Sequence, residues 1–198
     1  MIHAGLVLLG IVLSAGGAGA SEHMLAGARL FRDGRFAEAL VEFRVARKLG
    51  APEADGYAGV ALVKLDRPEE AIEAFGSLDA PGPDPLLDYY RALAAHDARL
   101  YLAADRLLAG AAGRGGPRLA ELAAKLRARI APVIAQEPTQ VSIDWYASRC
   151  AALRSERRTT LAHAFCTEAA ALSERRPHLP RRGDGGTSAR VAGPGGQP

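Results

Sequence analysis

Between residues 22 and 112 the apolar side chains recur three and four positions apart, interrupted by short polar turns. Leu25, Leu30 and Phe31 precede one such turn, and Phe36, Leu40, Phe43 and Ala46 follow it. That spacing lines one face of a 3.6-residue helix, so it predicts a pair of amphipathic helices. The pair recurs at an offset of 32 positions. Residues 34–40 align with 66–72 and, more loosely, with 98–104; Gly27 aligns with Gly59, Leu30 with Leu62, and Phe43 with Phe75 and Leu107. Pro52 and the proline-rich run at 81–85 separate the units, as chain-breaking residues do. The expected fold class is all-α, a solenoid of three helical hairpins followed by extra C-terminal helices.

Where two helices cross closely only Gly or Ala fits. The expected packing therefore sets Gly27 against Ala39 and Gly59 against Ala71, with Phe43 and Phe75 filling the space toward the next helix. The third unit carries Arg91 where the first two have glycine. After a loop expected at 110–117, residues 119–134 read as one helix with Leu119, Leu122, Leu126 and Ile130 on a stripe, and Pro138 ends that segment. Residues 139–176 contain neither Gly nor Pro, which favours helix throughout, as one long helix or as a hairpin turning at 155–159. In one continuous helix Cys150 and Cys166 would stand ~24 Å apart, beyond bonding reach. In a hairpin they face each other, and Arg158, Ala162, Cys166 and Ala169 echo Arg35, Ala39, Phe43 and Ala46. The hairpin is the favoured arrangement of the C-terminal helices, 118–176.

The ends of the chain read differently. Residues 1–20 lack Asp, Glu, Lys and Arg, and an apolar run at 6–13 leads to the small residues Ala18, Gly19 and Ala20. This is the pattern of a secretory signal cleaved after Ala20, which would place the protein in the periplasm or cell envelope with no transmembrane segment left. A retained anchor is the rival, but the run falls short of the ~20 apolar residues a spanning helix needs. Residues 177–198 contain ten Gly or Pro residues and are expected to be a disordered tail. Two cysteines in an exported chain favour one disulfide, Cys150 to Cys166. A zinc site adding His163 would lack a fourth ligand.

The repeating residues resemble the tetratricopeptide repeat family over residues 22–112. The match runs through Gly27, Gly34, Phe36, Ala39, Phe43 and Ala46 in the first unit and Gly59, Leu62, Ala71 and Phe75 in the second. The resemblance implies that the first helices of successive units line a concave groove holding a peptide or partner helix. Its positions would be Met24, Ala28, Phe31 and Arg32, then Gly56, Val60, Val63 and Lys64, then Asp88, Ala92, Ala95 and His96. Family members that clamp a terminal carboxylate use Asn on this face; this chain contains no Asn, so that clamp is absent. An apolar segment is the ligand such a groove suits.

Charge adds a second surface. Residues 1–110 hold 11 basic and 15 acidic side chains, whereas 111–198 hold 14 and 7. Arg154, Arg157, Arg158, Arg175 and Arg176 could meet an anionic membrane or envelope polymer. No motif interleaves arginine with aromatic stacking groups, so nucleic acid is not an expected partner. No phosphate loop, nucleophile elbow or paired-histidine zinc helix occurs either. The expectation is a non-catalytic protein-binding scaffold with no cofactor or metal, with peripheral anionic-surface binding as the alternative.

Overall fold

The structure, a computed structural model, describes residues 18–176. The expected signal lies outside them apart from its last three residues, and the expected tail lies wholly outside. Nine α-helices and no strands make up the described residues: α1 (Ala18–Arg32), α2 (Phe36–Lys48), α3 (Ala54–Lys64), α4 (Pro68–Phe75), α5 (Pro85–Asp97), α6 (Tyr101–Arg114), α7 (Gly116–Ile134), α8 (Gln140–Ser155) and α9 (Thr159–Arg175). From α1 to α7 each helix packs on the next, and α8 packs on α9. Cys150 and Cys166 lie at disulfide distance, with Cα atoms 5.2 Å apart. The segment 139–176 is therefore a hairpin rather than one long helix.

Four of these helix pairs share one turn. A left-handed residue occurs in each, Gly34, Asp66, Arg99 and Arg157, with φ of 78°, 56°, 66° and 60°. The following amide reaches five residues back in every case: Arg35 to Leu30, Arg67 to Leu62, Leu100 to Ala95 and Arg158 to Leu153. This bond satisfies a carbonyl that the ending helix leaves open. Ala39, Ala71, Ala104 and Ala162 then donate to Arg35, Arg67, Leu100 and Arg158 respectively. The α8–α9 hairpin is thus built on the same turn as the first three.

The shared turn moves the third unit by one residue from the alignment expected from sequence. Ala92, not Arg91, occupies the position of Gly27 and Gly59, and Leu108, not Leu107, that of Phe43 and Phe75. The extra residue falls where α4 stops early at Gly76 and an extended connector follows. That connector is held by charge. Asp88 is fully buried, accepts from the amide of Gly82 and pairs with Arg91 and Arg114. Arg91 also donates to the carbonyl of Ser77, and Arg114 to that of Gly82.

With the turns aligned, a single pair recurs at the heart of each hairpin. A Cβ built on Gly27 would stand 2.6 Å from Phe43 Cε1, and one on Gly59 2.5 Å from Phe75 Cε1. The rings therefore lie on the glycines of their own hairpins, where sequence had placed Ala39 and Ala71. In the third hairpin the corresponding residues are Ala92 and Leu108, and in the fourth Cys150 and Cys166. Every pair is separated by the same 16 positions as the cysteines.

Two further expectations are corrected. The loop at 110–117 is helical through Arg114. Gly110 serves contact rather than a break, since a Cβ there would come within 2.8 Å of Pro81 Cγ. In α7 the buried stripe is Leu119, Ala123, Leu126 and Ile130, while Leu122 faces outward.

Gly27→Ala should destabilise the fold by about 1–2 kcal/mol, overpacking against Phe43 outweighing the helix propensity gained. Adding Phe43→Leu recreates the Ala92 and Leu108 pair and should recover part of the loss. Urea unfolding of both single variants and the double variant measures this coupling.

Candidate functional site

The first helices of the three hairpins carry the candidate binding face. Phe31 and Val63 are half-buried, and so is Ala28, whereas Arg32 and Lys64 are exposed. Met24 and Val60, expected to line the groove, are each only 1% exposed and give their side chains to packing. The aligned turns place Leu93 with Ala28 and Val60, His96 with Phe31 and Val63, and Asp97 with Arg32 and Lys64. Asp88, Ala92 and Ala95, which the sequence alignment had put on this face, are fully buried. His96 is half-buried, 2.7 Å from Asp97 through Nδ1. Helices α3 and α5 pack directly, while α1 reaches α3 through α2. Lys64 crosses the gap between α3 and α5, its Nζ 5.6 Å from the ring centre of Tyr90. Along these helices half-buried Phe31, Val63 and His96 each precede an exposed charged residue, and the sign changes from Arg32 and Lys64 to Asp97.

The second face forms where the α8–α9 hairpin folds back on the second helices, α9 packing on α4 and α6. Glu69 of α4 receives Arg149 from α8 and Arg158 from the turn just before α9, each at 2.7 Å. Glu73 lies 3.6 Å from Arg158 and accepts from the amide of Leu161. Asp79 pairs with His163 at 2.8 Å. Glu168 is 3% exposed and accepts the amides of Leu102 and Ala103 at the start of α6, where open N–H groups favour an anion. Tyr146 donates its hydroxyl to the carbonyl of Arg99. An open groove of about 810 Å³ runs between α2, α3, α4 and the α8–α9 turn, lined by Ala58, Leu62 and Ala74, by four arginines (44, 67, 157 and 158) and by the carboxylates of Asp55, Glu69, Glu70 and Glu73.

These contacts change the reading of the basic C-terminal half. Arg158 is spent on Glu69 and Glu73, Arg175 donates to the carbonyl of Ile134, and Arg176 donates to Gln140. Arg154 and Arg157 remain exposed. The five arginines do not form one patch free of other work. His163 is likewise engaged with Asp79, and the sulfurs of Cys150 and Cys166 lie within bonding distance of each other. Among the described residues no group of three or more His, Cys, Asp or Glu side chains could hold a metal ion. No helix among them is long and apolar enough to cross a membrane.

Sequence reasoning missed the charges that the fold pairs or buries. Asp88 had been assigned to the groove face, and Glu69, Glu73 and Glu168 had not stood out. Glu168 left a trace, since it falls on the same helical face as Leu161, Phe165 and Leu172. Burial pushes its carboxyl above the usual range, against the two amides that favour the anion. Burial acts the same way on Glu69, but hydrogen bonds from Arg149 and Arg158 outweigh it and hold the carboxyl below the usual range. Burial, with Glu168 nearby, pushes the Tyr146 phenol up to about 12.

The two glutamates should respond oppositely to pH. Glu69, with its folded pKa depressed, contributes stability above the unfolded value of ~4.3 and loses it as pH falls through the folded value. Glu168, with its folded pKa raised, contributes below ~4.3 and loses that contribution as pH rises through the folded value. Urea midpoints across pH should show a weaker acid-side loss in Glu69→Gln and a weaker decline on the alkaline side of that value in Glu168→Gln. Glu69→Gln should also cost about 1 kcal/mol at neutral pH, a small figure because the pair is partly solvated. No family model matches the chain, and no curated protein or solved structure matches it either, so its own geometry carries the functional reading.

Proposed function

We propose that the chain is a non-catalytic, tetratricopeptide-like scaffold that binds a protein partner on the groove formed by its first helices. The observation that carries this reading is the regular placement of two rows along α1, α3 and α5. Phe31, Val63 and His96 stay half-open to solvent, and Arg32, Lys64 and Asp97 stand exposed beside them. Phe31 and Val63 are apolar side chains left partly uncovered in the first two hairpins, and a partner's apolar segment would complete their burial. The charged rim would set the direction of that segment, an acidic residue meeting Arg32 and Lys64 and a basic one meeting Asp97. The small side chains that dominate the core suit this role, since they bring helices close and make the face stiff.

Export to the periplasm or cell envelope belongs to the same reading. It is supported by the uncharged apolar segment at 1–20 and by the paired cysteines. The leader would be cleaved after Ala20. Anionic-surface binding is the weaker alternative, because three of its five arginines already serve contacts within the fold.

The test is affinity capture from envelope extract with the chain from Ser21, at low and high salt. Partners should persist at high salt with the wild type and be lost with Phe31→Asp plus Val63→Asp, while circular dichroism shows an unchanged helix content. Arg32→Glu, at an exposed position, should weaken capture at least severalfold without affecting folding. Capture unaffected by all three substitutions would refute the groove. Capture lost with salt alone would move binding to the arginines.

A further inference from the structure

We infer that the Cys150–Cys166 bond is a redox latch on α8, standing where the first two hairpins seat an aromatic ring on a glycine. The inference begins from the aligned turns. In hairpins one and two the first helix offers Gly27 or Gly59, and the second supplies Phe43 or Phe75 to cover it. In hairpin three Ala92 and Leu108 share the same volume, and both are fully buried. The fourth hairpin has two cysteines there. Once reduced, they leave two small thiols where every other hairpin has a large apolar side chain, and the crossing of α8 on α9 loses its central contact.

The rest of the fold makes α8 the part that responds. Helix α9 packs on α4 and α6, and Glu168, Leu161 and His163 tie it to three separate segments of the body. Helix α8 packs extensively on α9 alone. Its direct ties to the body are the Tyr146 hydroxyl on Arg99 and the Arg149 guanidinium on Glu69. Val141 on α8 is 79% exposed, and Trp145 stays 45% exposed at the edge of its contact with Phe165. A helix held on one side by one neighbour is the element whose position a cross-link decides.

Reduction needs an external dithiol. Its thiolate attacks the sulfur of Cys166, the less buried of the two cysteines, and Cys150 leaves as a thiolate that takes up a proton. The second thiol of the reductant then displaces Cys166, closing the reductant's own disulfide and passing the second proton to Cys166. Helix α8 is thereby released while α9 keeps its place.

Trp145, the chain's one tryptophan, reports on this directly because it packs on Phe165 of α9 with ring centres 5.9 Å apart. The experiment is hydrogen exchange and tryptophan emission on the full chain before and after dithiothreitol, with complete reduction verified by alkylation of two thiols. The expected result is a red shift of Trp145 emission and exchange at least tenfold faster across α8, with α9 and α1–α7 changed less than twofold. Unchanged α8 protection after full reduction would overturn the latch, and so would a loss shared equally by α9 or by α1–α7. The variant Cys150→Gly plus Cys166→Phe restores the pair found in the first two hairpins. Its α8 should stay protected with and without reductant, and a loss of protection in either condition would overturn the inference.

Discussion

Each hairpin depends on how closely its two helices can approach, and that distance is set by one residue on each helix. Where the first helix has Gly27 or Gly59, the ring of Phe43 or Phe75 settles directly on the backbone. The helices are thereby held at a separation that lets Ala39, Ala46, Ala71 and other small residues become fully buried. A core made of alanine contributes little transfer free energy per residue, so it must gain its cohesion from contact density. The large residue on the small one provides that density at the centre of each pair. A disulfide closing a loop of this size contributes about 3 kcal/mol in the chain-entropy picture, comparable to burying one large apolar side chain. The fourth hairpin thus reaches a similar stabilisation by a different chemistry, one that depends on redox conditions.

The fourth hairpin also differs in where it goes. The first three follow one another along the chain, whereas α9 returns to the second helices α4 and α6. Its attachment joins apolar packing, with Leu161 and Phe165 buried in the common core, to polar contacts. Carboxylates at 69, 73, 79 and 168 take up guanidinium, imidazole and backbone donors across that seam. Glu168 is buried there, and a misplaced hairpin would leave its carboxylate without its two amide donors, while the partly solvated pairs contribute less. The seam therefore selects one docking position as well as stabilising it. It also engages Arg149 and Arg158 in contacts within the fold.

Much of this was readable in the sequence because it follows from local spacing. The three- and four-residue apolar period marked the helices, and the absence of Gly and Pro marked 139–176 as helical. The cysteine separation selected the hairpin there, since one helix would have held the sulfurs apart. The echo of Ala39 and Phe43 in Ala162 and Cys166 was also visible, and the shared turn accounts for it. What misled was the third unit, where a constant offset placed Arg91 and Leu107 one residue away from the true pair. A backbone extension at Gly76 shifts the register without altering the apolar pattern that the alignment used.

The sequence by itself determined the helices, their turns and the pairing of neighbours, because each of these is set by residues close together along the chain. The tertiary structure alone decided which charges are buried, which apolar residues of the first helices stay open, and where the last hairpin docks. Glu69 meets Arg149 and Arg158 across some eighty to ninety residues of chain, and Glu168 reaches the start of α6 across more than sixty. Contacts of that kind leave no periodicity behind. Met24 and Phe31 look alike in the sequence as apolar residues on one helix; only packing buries the first and leaves the second half-open, because burial depends on what the rest of the chain brings against each side chain.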